Sequence, residues 1–187
     1  MGRRDVDGGC PDGAGSQLAN GYTFGSGAGI SSDGLADVEL EDCSFADNLA
    51  DGDGGGIAVN DVALTVTRCS FDGNVAGGIA GGGLYASLSL VTLLDSSFTN
   101  NQVVYFGGGL YLYEGESTIT GCEVTTNTAG LIGGGIRFYS VDVGTYSLEN
   151  SLVTGNSPDD ISTPPTATAF RYPRKRSAII PPKNGVK

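Results

Sequence analysis

A glycine-rich motif recurs along this chain at an almost constant interval, and no other feature of the sequence constrains the fold as strongly. Its five copies start 27, 27, 26 and 26 residues apart: Gly27-Ala28-Gly29-Ile30, Gly54-Gly55-Gly56-Ile57, Gly81-Gly82-Gly83-Leu84, Gly107-Gly108-Gly109-Leu110 and Gly133-Gly134-Gly135-Ile136. A second motif, which ends in Asn, alternates with the first: Phe45-Ala46-Asp47-Asn48, Phe71-Asp72-Gly73-Asn74, Phe98-Thr99-Asn100-Asn101, Val124-Thr125-Thr126-Asn127 and Val153-Thr154-Gly155-Asn156. Two interleaved motifs with one period predict a chain of stacked structural repeats.

Residues at fixed distances before each Asn form columns of one chemical type. Eight residues before it lie Leu40, Val66, Leu93, Ile119 and Leu148, and three residues before it lie Phe45, Phe71, Phe98, Val124 and Val153. Further columns lie ten residues before each Asn, mostly apolar, and five residues before it, made of Cys and Ser, so that each column has a partner two residues away. This step of two indicates two strands, and polar residues mark a corner between them: Asp42, Arg68, Asp95, Gly121 and Asn150. We therefore predict an all-β fold, a right-handed parallel β-helix (β-solenoid) of about five coils of 26–29 residues with three short strands per coil.

Stacking also explains the Asn column, which we predict to form one line of hydrogen-bonded amides: Asn48, Asn74, Asn101, Asn127 and Asn156. Asn further tolerates the left-handed backbone that a tight turn needs. The glycines suit positive φ and close approach between coils.

The two motifs together resemble the repeats of polymorphic outer-membrane proteins and of other bacterial right-handed β-helix proteins. The resemblance covers residues 27–156, although Val124 and Val153 stand where the family has Phe. It implies export, display at the cell surface and a role in adhesion, so the expected location is extracellular or the cell surface.

Composition divides the chain into three segments. Residues 1–20 are Gly-rich and acidic, residues 21–156 hold the repeats, and residues 157–187 form a Pro-rich basic tail that we expect to be poorly ordered. Neither end carries a sequence that is typical of a solenoid cap, and no apolar run is long enough to be a signal peptide or a membrane span. We therefore expect a fragment of a longer secreted protein.

The formal net charge is −11, and all 21 acidic residues lie between Asp5 and Asp160. In that stretch only Arg68 and Arg137 are basic. Such an acidic body repels phosphate backbones, so nucleic acid is not an expected partner.

Enzymes that cleave polysaccharides share the β-helix architecture, so catalysis has to be judged from the site. Asp42 and Asp95 occupy one corner column two coils apart, with Arg68 between them, which is near the carboxylate separation of an inverting glycosidase. Solvated corner residues are the simpler interpretation. The chain has no His, and we predict neither a catalytic residue nor a cofactor. Polysaccharide binding or cleavage stays open as the alternative function.

Three smaller hypotheses concern single clusters. Asp47, Asp51 and Asp53 could supply oxygen ligands to Ca²⁺, or form a solvated turn. Cys43 and Cys69 stack in adjacent coils and could form a disulfide, or simply a column of small residues. The outward threonines could form an ice-binding array, but Glu39, Leu94 and Glu149 interrupt it: Thr65, Thr67, Thr92, Thr118 and Thr120.

The strand after the glycines carries outward tyrosines in successive coils. Tyr85 and Tyr111 share one column, and Tyr113 and Tyr139 share a second column two residues later, with Arg137 beside them. Stacked phenols form a flat amphipathic surface suited to sugar rings or to a protein partner. We therefore predict a non-catalytic adhesive or display module whose candidate ligand surface is this tyrosine platform: Tyr85, Tyr111, Tyr113, Tyr139 and Arg137.

Overall fold

A computed structural model describes residues 16–34, 37–163 and 170–171 of the protein, without the side chains of residues 141–144, 170 and 171. The described residues form strands, turns and bends. They include no helix that is long and apolar enough to cross a membrane. The strands in chain order are β1 (Gln17–Ala19), β2 (Tyr22–Thr23), β3 (Ile30–Asp33), β4 (Asp37–Glu41), β5 (Ser44–Ala46), β6 (Leu49–Ala50), β7 (Ile57–Asn60), β8 (Ala63–Thr67), β9 (Ser70–Asp72), β10 (Val75–Ala76), β11 (Leu84–Leu94), β12 (Ser97–Thr99), β13 (Gln102–Val103), β14 (Leu110–Thr120), β15 (Glu123–Thr125), β16 (Thr128–Ala129), β17 (Ile136–Glu149), β18 (Leu152–Thr154), β19 (Ile161–Ser162) and β20 (Phe170–Arg171).

Every strand pair is parallel, and equivalent strands of successive coils lie side by side in three sheets. The Phe sheet has the order β1-β5-β9-β12-β15-β18, and the short-strand sheet has the order β16-β13-β10-β6-β2. The long-strand sheet has the order β19-β17-β14-β11-β7-β3, with β4, β8 and β20 beside this path. The predicted parallel β-helix of about five coils is confirmed.

The strands are divided among the sheets differently from the sequence prediction. The strand after the glycines and the strand before the corner belong to one sheet, and in later coils they join into the continuous strands β11, β14 and β17. The third side of each coil is a two-residue strand just after the ladder Asn, such as Val75–Ala76. Two residues are too few to show an alternating pattern in the sequence.

The predicted end segments, residues 1–20 and 157–187, lie largely outside the described residues. Within the described part, strands pair with the solenoid on both sides of residues 21–156. β1 pairs with β5, and β19 pairs with β17.

The asparagines form the predicted line. Each Nδ2 donates to the Oδ1 of the next Asn, at 2.9 Å for three steps and 3.0 Å for the last. Asn101 is fully buried, and its Nδ2 also donates to the Phe71 carbonyl at 3.0 Å. Asp160 ends the ladder, because its Oδ1 accepts from both Asn156 N and Asn156 Nδ2 at 3.0 Å. Each side-chain amide of this Asn ladder thus has a hydrogen-bond partner, as a buried amide requires.

The left-handed backbone is not at the ladder asparagines, which corrects that part of the prediction. Positive φ occurs at the residue before each one: Asp47, Gly73, Asn100, Thr126 and Gly155. The corner residues Asp42, Arg68, Asp95, Gly121 and Asn150 also have positive φ, between 47° and 68°. At the glycine motif, Gly54 has a φ of 66°, and a Cβ on Gly55 would lie 2.5 Å from the Gly82 carbonyl oxygen.

The core is a stack of like side chains. Phe45, Phe71 and Phe98 are fully buried, with ring centroids 4.6 and 4.4 Å apart and planes within 8° of parallel. Of the two alternatives for Cys43 and Cys69, the disulfide between them does not form. Cys69 is a free buried thiol, and its Sγ accepts a hydrogen bond from the Cys43 N–H at 3.3 Å. Cys43 is itself disulfide-bonded, and Cys122 is free.

Candidate functional site

The register of the long-strand sheet brings the five residues of the tyrosine platform together. Tyr85 pairs with Tyr111, which pairs with Arg137. In the next outward column Ser87 pairs with Tyr113, which pairs with Tyr139. All four tyrosines and Arg137 are half-buried. Their role in recognition stays a prediction, but their common surface is a property of the fold.

The tyrosine rings lie nearly parallel to one another. Ring centroids are 5.7 Å apart for Tyr85 and Tyr111, 6.5 Å for Tyr111 and Tyr113, and 5.6 Å for Tyr113 and Tyr139. The interplanar angles are 6°, 6° and 13°. Rings packed in this way hold each other in place, so a ligand meets a preformed apolar surface with phenol groups at its edge.

The surface is a groove and not the flat platform that the sequence predicts. Phe106 stands beside Tyr111, with ring centroids 6.4 Å apart and planes inclined by 35°. Together Phe106, Tyr111, Tyr113, Arg137 and Tyr139 enclose about 420 Å³. We call this space the aromatic groove. Its volume is in the range of small-molecule sites.

Phe106 was missed in the sequence because it lies outside the predicted strands. It is the residue just before a Gly triplet, and it pairs with its equivalents Ala80 and Ile132 through isolated bridges. The residues before the five glycine motifs share no chemical type, so no column in the sequence marks this position: Ser26, Asp53, Ala80, Phe106 and Ile132. In the last three coils the preceding residue is exposed and apolar, with 57, 44 and 54% of Ile79, Tyr105 and Leu131 exposed, so the apolar surface continues beyond Phe106.

Arg137 is the cation of the groove. Its Cζ lies 5.2 Å from the centroid of the Tyr139 ring, within the range of a cation–π contact, and its Nη1 donates to Ser162 Oγ. No carboxylate forms an ion pair with it in the described part of the chain. A guanidinium carries five N–H donors, so Arg137 retains donors for a ligand.

The phenols of Tyr85, Tyr111 and Tyr113 stay protonated over the physiological pH range, because the pKa of each is raised. Burial raises the pKa of Tyr111 to about 12, and burial also raises the pKa of Tyr85. The pKa of Tyr113 is raised chiefly by the negative charge of the adjacent Glu114. Neutral phenols both donate and accept hydrogen bonds, which suits hydroxyl groups of a ligand.

Arg68, the other basic residue of the repeats, is committed to carboxylates. Its Nε and Nη2 donate to the two carboxylate oxygens of Asp42 at 2.8 Å each, and Nη2 also contacts Glu41 Oε1. This pairing lowers the pKa of Asp42. A carboxylate held as an ion by Arg is a poor general acid, so the arrangement does not favour Asp42 and Asp95 as a glycosidase pair.

Two of the three aspartates considered for Ca²⁺ accept hydrogen bonds from other residues. Asp53 Oδ1 accepts from Ile79 N at 2.6 Å and from Ala80 N at 2.8 Å, and Asp51 Oδ2 accepts from the Tyr22 hydroxyl at 2.9 Å. In residues 16–34 and 37–163 no three acidic, Cys or His side chains are grouped to hold a metal ion. The threonine columns are outward as predicted, and Leu94 pairs with Thr67 and Thr120 as the predicted interruption.

Comparison with known families gives one match. The family model for the right handed beta helix region matches residues 15–162, which include every coil and the whole groove. No curated protein and no solved structure matches the chain.

Proposed function

Since the chain belongs to the right-handed β-helix family, we propose that it is a non-catalytic extracellular or cell-surface module that binds saccharides in its aromatic groove. The observation that carries the proposal is the groove itself, in which parallel tyrosine rings, Phe106 and the Arg137 guanidinium, which forms no ion pair with the described residues, line about 420 Å³. Sugar rings have apolar faces that pack on aromatic rings and hydroxyl groups that bond to phenols and to Arg.

The positions of the aromatic residues support recognition over a purely structural role. Ser31 and Ala58 occupy the Tyr85–Tyr111 column in earlier coils, and these coils stack in the same register. The coil therefore does not need Tyr at this place. Tyrosines that the fold does not require are candidates for binding a partner.

Two observations bear on location and on the relatives. Cys43 is disulfide-bonded, and disulfides are typical of proteins that fold in an oxidising compartment. The paired glycine and Phe-x-x-Asn motifs resemble polymorphic outer-membrane proteins. The more specific proposal is therefore that the protein acts in adhesion and binds glycans as its partner.

A glycan array combined with an activity screen on acidic polysaccharides tests the function. We expect binding without turnover, and the variant with Tyr85→Ser and Tyr111→Ser should lose the binding while its circular dichroism spectrum is unchanged. New reducing ends or unsaturated products would show that the chain is a polysaccharide-cleaving enzyme. Equal binding by the double variant would place recognition elsewhere on the surface.

A further inference from the structure

The aromatic groove has a positive charge in its lining and negative charges beside neighbouring tyrosines. Arg137 and Arg68 are the basic residues whose side chains the structure describes, and Arg68 lies in the corner column with Asp42 and Glu41. Arg137 is therefore the cation that a groove ligand can reach. Its planar fork of donors can bind both oxygens of a carboxylate at once.

Two carboxylates lie next to tyrosines of the platform. Glu114 follows Tyr113 directly, and its charge acts on the Tyr113 phenol. Asp53 acts in the same way on Tyr85 and is fixed there by hydrogen bonds from Ile79 N and Ala80 N. Screening confines such effects to about 8 Å at physiological ionic strength, so each charge governs its own part of the groove.

We propose that the groove is specific for an oligosaccharide with a single acidic sugar at its end, whose carboxylate binds Arg137 while neutral sugars extend over Tyr111 towards Tyr85. This inference rests on the proposed function and adds the class and orientation of the ligand. A saccharide with a carboxylate on every unit would place negative charge beside Glu114 or Asp53. The groove therefore selects an isolated acidic terminus and not a polyanion.

The expected preference is measurable. A charge-assisted hydrogen bond contributes more than a neutral one, which corresponds to an affinity gain of about tenfold to a hundredfold for the acidic sugar. The gain falls as salt is added, because the guanidinium is only half-buried.

Isothermal titration calorimetry with two matched probes tests the inference. The first probe is an oligosaccharide ending in a hexuronate, and the second is the same molecule after reduction of its carboxyl group to an alcohol. The protein should bind the hexuronate probe at least about tenfold more tightly. In Arg137→Gln the ratio of the two affinities should fall to about one, while Arg137→Lys should retain an intermediate ratio.

Arg68→Gln is the control, because it removes a positive charge from another face and should leave the ratio unchanged. Equal affinities for the two probes in the unaltered protein, with binding still lost in Tyr111→Ser, would refute the acidic preference and leave the proposed function standing. Failure of both probes to bind would refute the groove as a saccharide site. Tighter binding of polygalacturonate than of the hexuronate probe would contradict selection of an isolated terminus.

Discussion

The first two coils and the last three share one scaffold but differ on their lateral face. One outward column reads Ser31, Ala58, Tyr85, Tyr111 and Arg137, and the next reads Asp33, Asn60, Ser87, Tyr113 and Tyr139. At the N-terminal end the second column is polar, with Asn60 Nδ2 donating to Asp33 Oδ1 at 2.8 Å. At the C-terminal end the same positions form the aromatic groove.

The inward columns show no such division. The Asn ladder runs from the second coil to the last, and the column from Leu40 to Leu148 is apolar in every coil. Stacking therefore dictates the inward residues of every coil, whereas the outward residues are free to differ. The change from small and polar side chains to aromatic ones is what marks the last three coils as the place of recognition.

The largest effect should come from placing a charge in the interior. Leu93 is fully buried and pairs with Val66 and Ile119 of the neighbouring coils. Leu93→Asp should lower the free energy of unfolding by roughly 4 kcal/mol or more, because an unpaired carboxylate is left in an apolar stack. Leu94→Asp is the matched control on the outward face and should cost less than about 1 kcal/mol. Equal effects in chemical denaturation would contradict the division into inward and outward residues.

A smaller loss is expected from breaking the ladder at its centre. Asn101→Ala removes the acceptor of Asn74 N and Asn74 Nδ2 and the donor to Asn127 Oδ1. The buried groups left without partners should cost about 2–3 kcal/mol. Gln102→Ala, at the exposed next residue, should change the stability by less than about 0.5 kcal/mol. An unchanged denaturation midpoint for Asn101→Ala would show that the amide line is not needed for stacking.

The difference between the early and late coils can be tested by replacing groove tyrosines with the residues that stand at the same positions in the second coil. The variant with Tyr111→Ala and Tyr113→Asn carries the side chains that Ala58 and Asn60 supply two coils before. It should lose glycan binding but only about 1–2 kcal/mol of stability, since aromatic pairs on a surface contribute modestly. Global unfolding of this variant in a thermal melt would mean that the tyrosines are structural.

The smallest effect concerns alkaline pH. Tyr111 has a pKa of about 12 in the folded protein, against about 10 in an unfolded chain. The unfolded state therefore releases this proton first, so the stability that the neutral phenol confers is complete below about pH 10 and is lost as the pH rises to about 12. Tyr111→Phe should make the fall of melting temperature over this range shallower. A fall of the same steepness in the variant would contradict the burial of Tyr111.

Contacts that recur in every coil could be predicted from the sequence, whereas features that occur in only one coil could not. The Phe and Asn columns could be predicted because the same contact recurs in coil after coil. Phe106 could not, since it is the one aromatic residue at a position that holds Ser, Asp, Ala or Ile in the other coils. The hydrogen bonds from Asn156 to Asp160 and from Arg137 to Ser162 involve the last coil, where no repeat reveals them.

A crystal structure of the protein with the oligosaccharide that binds most tightly on the array tests the central claim most directly. We predict a sugar ring packed against Phe106 and Tyr111, with its polar groups bonded to Arg137 and the phenols of the groove. A saccharide bound instead at the threonine columns or at the corner of Asp42 and Asp95 would contradict the account.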